Sequence, residues 1–297
     1  MAILTTTSGV SLSVDEIAAL VVRPLTAAST ALRTTTVLPT NNHRLRIPVV
    51  TADPQAAFVA ENTEIDPSDA SLQEAYIDFY KCAALTRVSS ETFDDSDPAI
   101  ANVIGEGIAR NIARVVDKCY FAASTTDGFD GIESLTGKAG QEACQVVNVG
   151  GPLTNLDPLA EAISRIEAVG GRCTSFCADT STILALALLK EFGGSSDTLV
   201  SNEPLLAVND DLSQPTSKSA LGVPLWPLPT GVIDPGVIWA WDRSRVFMGM
   251  RNNVTLRVTE FPYFTADAWA VRSTARLGAA WPHPQAVVKI VSTLSGS

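Results

Sequence analysis

The sequence predicts an α+β fold in which a long β-hairpin stands away from the compact part of the chain. Three observations predict it. Residues 45 to 88 alternate in two extended runs around an acidic middle. Apolar residues then recur at helical spacing for more than twenty positions after Asp97-Pro98. From about residue 150, helix and strand patterns alternate in short units. With 297 residues, 46% hydrophobic and 18% charged, the composition is that of an ordered chain large enough for two domains.

Ser13-Val14-Asp15-Glu16 has the form of a capping box and predicts a short helix before Pro24. Thr30 to Asn42 is Thr-rich without helical spacing, which predicts an extended arm outside the core. Leu45 to Val50 reads as a strand, with Pro48 placing it at an edge. Ala75 to Val88 reads as one return strand of about 46 Å at about 3.3 Å per residue. Between them, Asp53 to Glu74 holds Asp53, Glu61, Glu64, Asp66, Asp69 and Glu74 with no Lys or Arg. Two strands of this length are marginal alone in water, so the hairpin either needs a surface on another chain or is a long solvated loop.

Asp97-Pro98 places a cap and a first-turn proline before Ile100, Ile104, Ile108, Ile112 and Val116, predicting a helix to about Ala123 and about 39 Å long. Gly105 and Gly107 interrupt it at a cost in helix propensity that suits the close approach of another backbone. Leu156 to Val169 forms a second helical stripe ended by Gly170-Gly171. Arg172 to Ala178 reads as a strand, and Asp179 caps a helix predicted to run to Phe192. Leu221 to Pro235 is broken by prolines. Strands are predicted at Val237 to Trp241 and Val246 to Met250, a long hairpin at Val254 to Glu260 with Ala268 to Ala279, and a last strand at Ala286 to Val291.

The net charge of -11 is unevenly spread: residues 51 to 130 carry -10 and residues 243 to 297 carry +5. Separate opposite fields suit subunit meeting subunit, and no DNA-reading motif accompanies the basic end. Five cysteines are too few and too scattered for a disulfide framework. Cys173 and Cys177 lack a second close pair of zinc ligands and read as small buried hydrophobes. No apolar run is long enough to span a bilayer, and the N-terminus lacks a secretory pattern, so no membrane partner and a cytoplasmic site of synthesis are expected.

Catalytic motifs fail on context. Gly105-Glu106-Gly107 lies within a helix and follows no strand, and two histidines leave little for acid-base work. Asp94-Asp95-Ser96-Asp97 has Ala99 where a calcium loop needs glycine, so its acids read as helix caps. Asn253-Val254-Thr255 is a formal sequon inside a predicted strand. Asp127, Asp130 and Glu133 cluster near Gly128 and Gly131, which turn chemistry explains. No catalytic, cofactor-binding or metal-binding residue is assigned.

In sequence order, several stretches together resemble the Hong Kong 97-type major capsid proteins of tailed double-stranded DNA bacteriophages. These are Ile47-Pro48, Phe58-Val59-Ala60-Glu61 with Ser68-Asp69, and Val88-Ser89-Ser90-Glu91 with Asp94-Asp95-Ser96. Ile112-Ala113, Val116-Asp117, Gly131-Ile132 and Leu221-Gly222-Val223-Pro224 follow, then Trp241-Asp242 before Ser244, and Arg276 ahead of Pro284 and Ala286. The resemblance spans about residues 13 to 292. It implies an N-terminal arm at 1–44, an extended loop at 45–88, and a peripheral domain with a spine helix at 89–150 and 242–283. An axial domain would take 151–241 and 284–297. It implies a non-enzymatic subunit of hexamers and pentamers in an icosahedral shell around packaged double-stranded DNA, assembled in a bacterial cytoplasm with portal, scaffold or decoration proteins as further partners.

From this follows the expectation that Glu61, Glu64, Asp66 and Asp69 meet Arg251, Arg257, Arg272 and Arg276 across subunits. Two departures from the family's type member matter. No Lys lies between Asp53 and Tyr80, so the covalent cross-link of some members is not expected, and no long scaffolding region is expected before the arm. Encapsulin-type shells, which resemble the same fold but enclose cargo enzymes, and an ordinary α/β enzyme are the competing readings.

Overall fold

The computed structural model describes residues 25, 28–52, 71–90, 99–192, 199–206 and 218–293, with positions 54, 56, 58, 59 and 69. The helix expected near Ser13 and the acids at 94–97 lie outside the described residues. The first complete elements are α1 (Thr30–Thr34) and β1 (Thr36–Thr40). The hairpin strands β2 (Arg44–Ala52) and β3 (Ser71–Asp78) follow, then β4 (Tyr80–Ser89) and the long helix α2 (Ala99–Phe121). Next come β5 (Gln145–Pro152), α3 (Asp157–Ala168), β6 (Ser175–Asp179), α4 (Thr180–Ala187) and the short pair β7 (Lys190–Phe192) and β8 (Leu199–Pro204). The chain continues through β9 (Ser219–Ala220), β10 (Val223–Leu228), β11 (Val237–Trp241), β12 (Phe247–Thr259), β13 (Ala268–Ala280) and β14 (Val287–Thr293).

Two sheets organise these elements. A four-stranded sheet has the order β1-β12-β13-β4, and a six-stranded sheet has the order β5-β14-β11-β6-β10-β9. The 23 residues of α2 span about 35 Å at 1.5 Å per residue. Ile108, Ile112, Val116 and Tyr120 on its buried face join Val271, Ala275 and Leu277 of β13 in one core. Fully burying each such aliphatic side chain contributes about 1.5 to 3 kcal/mol. A second core fills the six-stranded sheet, where Leu159 and Ile166 of α3 and Ile183 and Leu186 of α4 pack on Phe176, Ile238 and Ile290.

Three sequence expectations about elements change here. The run from Ala75 to Val88 is not one strand: it breaks at Phe79, β3 staying in the hairpin with β2 while β4 pairs with β13 along Tyr80–Ser89. Cys82, Ala84 and Val88 of β4 pack against the α2 core. β5 pairs in parallel with β14 in the six-stranded sheet. The helix capped by Asp179 ends at Ala187 instead of Phe192, and β7 pairs with β8. The proline-broken stretch contains β10, parallel to β6, with Pro224 and Pro227 accommodated near the sheet's edge.

The largest change concerns the expected arm. Thr30–Thr34 is helical and inserted into the core, with Ala31 fully buried and Leu32 2% exposed. Its N-terminus meets Asp117 of α2, whose carboxylate accepts hydrogen bonds from Ser29 Oγ (2.6 Å), Thr30 N (3.1 Å) and Ala31 N (3.0 Å). Its C-terminal end meets the other sheet's side: Trp241 Nε1 donates to Thr34 O at 2.9 Å, and Arg243 Nε donates to Thr35 O at 3.1 Å. The segment clasps the two sheets together. Helical periodicity could not show this, because a five-residue helix supplies barely one turn of pattern.

Burial pushes the Asp117 carboxyl above the ordinary carboxylate range, against the opposing pull of its three donors. A raised folded value means this titration favours the folded state at low pH, and that contribution is lost as pH rises through the raised value. Asp117→Ala leaves two buried donors and one part-buried donor without their acceptor and is expected to cost about 3 kcal/mol. Urea denaturation of unassembled subunits measures that loss, and the variant's stability-versus-pH profile lacks the wild-type contribution that is lost as pH rises through the raised Asp117 value.

Candidate functional site: the hairpin root and a basic sheet face

Alternation along β13 separates two faces. Val271, Ser273, Ala275 and Leu277 are buried toward α2, whereas Arg272 and Arg276 point the other way. On this outer face the hairpin is seated by a pair of glycines. Gly249 of β12 and Gly278 of β13 are opposite each other, and Ile77, Asp78 and Phe79 occupy the space their missing side chains leave. A Cβ on Gly278 would lie 2.1 Å from Asp78 O, and one on Gly249 would lie 2.8 Å from the Phe79 ring. Ile77 is thereby fully buried, although it belongs to a ribbon whose other residues are mostly exposed.

The hairpin stem settles its own charges. Arg44 Nε lies 2.9 Å from Asp78 Oδ1, and Arg46 pairs with Glu74. Tyr76 donates to Glu74, which raises the Tyr76 hydroxyl above its ordinary value, and the Arg44 guanidinium lies over the Tyr76 ring at 4.2 Å. At the far end of the stem, the paired Val50 (46% exposed) and Leu72 (67%) have little cover, and Phe58 beyond it is fully exposed.

The four predicted arginines are brought together in cross-strand register on the outer face: Arg251 is opposite Arg276, and Arg257 is opposite Arg272. The structure adds Lys81, which β4 places opposite Arg276, and Arg87 opposite Ala270. Six cations thus share one face, and the strand positions in register with them carry no acid. Like charges directly opposite on neighbouring strands destabilise a sheet. Arg87 donates to Ala266 O at 3.4 Å and lies over the Tyr263 ring. Arg251 Nη1 stands 3.4 Å from His43 Nδ1, while its buried Nε has no acceptor among the described residues. None of the six forms an ion pair among the described residues.

Of the predicted acids, Asp69 is exposed, and Glu61, Glu64 and Asp66 lie outside the described residues. Lys81, Arg87, Gly249 and Gly278 were missed from sequence. Lys81 and Arg87 share strand parity with each other, but their facing partners depend on β4 joining β13. Gly107 has the flexible Arg110 tip near its missing Cβ, and no backbone of another element among the described residues approaches it. The carboxylates near Gly128 divide between roles: Asp127 holds a left-handed turn at φ 60°, and Glu133 pairs with Lys289. Among the described residues, no three His, Cys, Asp or Glu side chains gather as metal ligands, and no helix is long and apolar enough to cross a membrane.

This arrangement of a projecting hairpin, a long helix under a four-stranded sheet and a separate six-stranded sheet can be set beside known proteins. Residues 10–292 match the model of the phage capsid family. The chain belongs to that family. Solved structures share the fold at low sequence identity. A chain of Mycobacterium phage Adephagia superposes with a TM-score of 0.68 at 16% identity, covering 91% of this chain and 92% of that one. A chain of Microbacterium phage Oxtober96 gives 0.67 at 17%, covering 99% and 96%. A capsid chain of an empty GTA particle computed with C5 symmetry gives 0.68 at 16%, covering 99% and 94%. No curated protein matches the sequence. The capsid fold the residues resemble is therefore the fold observed, and the chain is a structural shell protein of the virion capsid.

Two outcomes check the site's geometry. Gly278→Ala forces a Cβ against the Asp78 carbonyl and is expected to cost about 1 to 3 kcal/mol or to lift the hairpin root, seen as faster proteolysis within 44–78. Burial raises Cys82 and Cys144 and pushes Cys173 up to about 12, with the fully buried Cys177 well above its usual value. These four thiols are expected to react with iodoacetamide at pH 8 on the order of a hundredfold more slowly in the folded protein than in urea.

Proposed function

We propose that this shell protein assembles into hexamers and pentamers of an icosahedral capsid that encloses packaged double-stranded DNA. The observation that carries the reading is the ribbon β2–β3. It is rooted in the sheet by a fitted glycine notch, yet beyond that root it exposes Val50 and Leu72 and packs on no further layer of the described chain. A two-stranded ribbon is marginal alone, so a neighbouring copy is the economical support. Membership of the phage capsid family supports the tiling and the nucleic-acid cargo. On this reading the four-stranded sheet with α2 is the peripheral domain, and the six-stranded sheet is the axial domain around the five-fold and six-fold centres. Portal, scaffold or decoration proteins would be further partners, and assembly would take place in the host cytoplasm.

The purified chain is expected to elute in the void volume and to show closed particles by negative stain. Particles from infected cells are expected to protect double-stranded DNA from nuclease. A stable monomer at micromolar concentration would overturn the shell reading, and particles filled with a protein cargo and free of nucleic acid would overturn the DNA reading.

A further inference from the structure

The side of α2 turned away from the sheet carries its own set of cations. Arg110, Arg114 and Lys118 recur at every fourth position and are all exposed, while Ile108, Ile112, Val116 and Tyr120 hold the buried side. At 1.5 Å per residue they stand about 6 Å apart along one stripe of about 12 Å. Arg110 reaches Glu106 at 3.6 Å, whereas Arg114 and Lys118 form no ion pair among the described residues. The acid three positions beyond Arg114, Asp117, is buried and committed to Ser29, Thr30 and Ala31. Like charges four apart destabilise a helix, so Arg110 with Arg114 and Arg114 with Lys118 are two unfavourable pairs. The helix dipole favours Lys118 in the last turn and does little for Arg114 one turn earlier.

Position within the fold selects a partner for this stripe. α2 packs on one side of the four-stranded sheet, through Val271, Ala275 and Leu277, and the hairpin root sits on the opposite side at Gly249 and Gly278. In a shell whose subunits reach their neighbours with the hairpin, α2 therefore lies on the other wall. The chain carries a net charge of -11, so an enclosed polyanion is repelled by most of its surface. Between residues 51 and 130, 15 acids stand against five bases, and three of those five are Arg110, Arg114 and Lys118. Duplex DNA presents about one negative charge per 1.7 Å of axis, so a duplex laid along the stripe offers about seven phosphate charges over its length.

We propose that Arg110, Arg114 and Lys118 form a phosphate-binding stripe for the packaged duplex, which makes the α2 side of the four-stranded sheet the inner wall. This rests on the reading of the protein as a DNA-filled shell and goes beyond it by naming the wall and the residues. The stripe is indifferent to sequence, because a single row of cations meets backbone phosphates and offers no hydrogen-bond pattern for base edges. Every copy repeats it, so a contact that is weak in one subunit is multiplied over the shell. The six cations of the opposite sheet face are the rival duplex site, and the cross-linking below separates the two.

Formaldehyde cross-linking of DNA-filled particles tests the wall directly, because Lys118 lies on the stripe and Lys81 on the opposite face. Peptides with a nucleotide attached at Lys118 are expected, and peptides with one at Lys81 are not. Affinity of unassembled subunits for a short duplex of random sequence gives a second readout. Arg114→Gln with Lys118→Gln is expected to reduce the slope of log affinity against log salt by about 1.8, at about 0.9 per phosphate contact. Lys138→Gln with Lys218→Gln removes the same charge elsewhere and is expected to leave the slope within about 0.5 of wild type. Thermal melts verify that both variants fold, and both are expected to match the wild-type yield of closed particles. No cross-link at Lys118, an unchanged slope in the stripe variant, or an equal fall in the Lys138 and Lys218 variant would each overturn the stripe while leaving the DNA-filled shell intact. A loss of particle yield confined to the stripe variant would assign this side of α2 to subunit contact and overturn it as well. Particles filled with protein and free of nucleic acid would overturn the DNA reading first, and the stripe with it.

Discussion

The molecule is joined at one place, where the last turns of α2 meet the N-terminal segment and the six-stranded sheet. Tyr120 and Phe121 stack edge to face with centroids 4.9 Å apart, and Trp241 and Trp281 lie 6.0 and 5.0 Å from the Tyr120 ring. One turn before them, Asp117 holds Ser29, Thr30 and Ala31, so the clasp that bridges the sheets is anchored on the same stretch of helix. A buried carboxylate without a cation is costly, and here the donors of a helix N-terminus offset that cost. The arrangement places a directional polar contact beside non-directional aromatic packing. The aromatic rings supply cohesion, and the carboxylate sets which residues meet.

Because that junction fixes the compact part, the hairpin is free to serve outward. Its root is held by shape, through Gly249 and Gly278, and not by charge. Its stem is electrically self-contained, with each stem arginine paired across the ribbon. Among the described residues, cations without an ion pair gather on the outer face of the four-stranded sheet. Exposed pairs such as those of the stem contribute about 0 to 1 kcal/mol each, so their effect lies in register more than in stability.

Much of this was legible before any coordinates. The α2 helix, the strand Val237 to Trp241, the cap at Asp179 and the stop at Gly170 all came from local signals: apolar spacing, cap residues and left-handed glycines, whose causes lie within a few residues. The four arginines were legible as a charged group because charge is additive along the chain. The break at Phe79 was not, since Ala75 to Val88 alternates without interruption and only the competition between β2 and β13 for partners divides it. The buried helix at Thr30–Thr34 was misread for a related reason: its stability comes from Asp117, 83 positions beyond Thr34, and not from its own sequence.

The sequence by itself determined the class of the fold, the long amphipathic helix and the segregation of charge, because each of these depends on neighbours along the chain. Only the tertiary structure decided that Lys81 stands beside Arg276 and Arg251, that two distant glycines form a seat for Ile77 and Phe79, and that the supposed arm is a buried clasp. Those features depend on which strands pair and in what register, and a register is set by the packing of whole faces at once, which no local pattern contains.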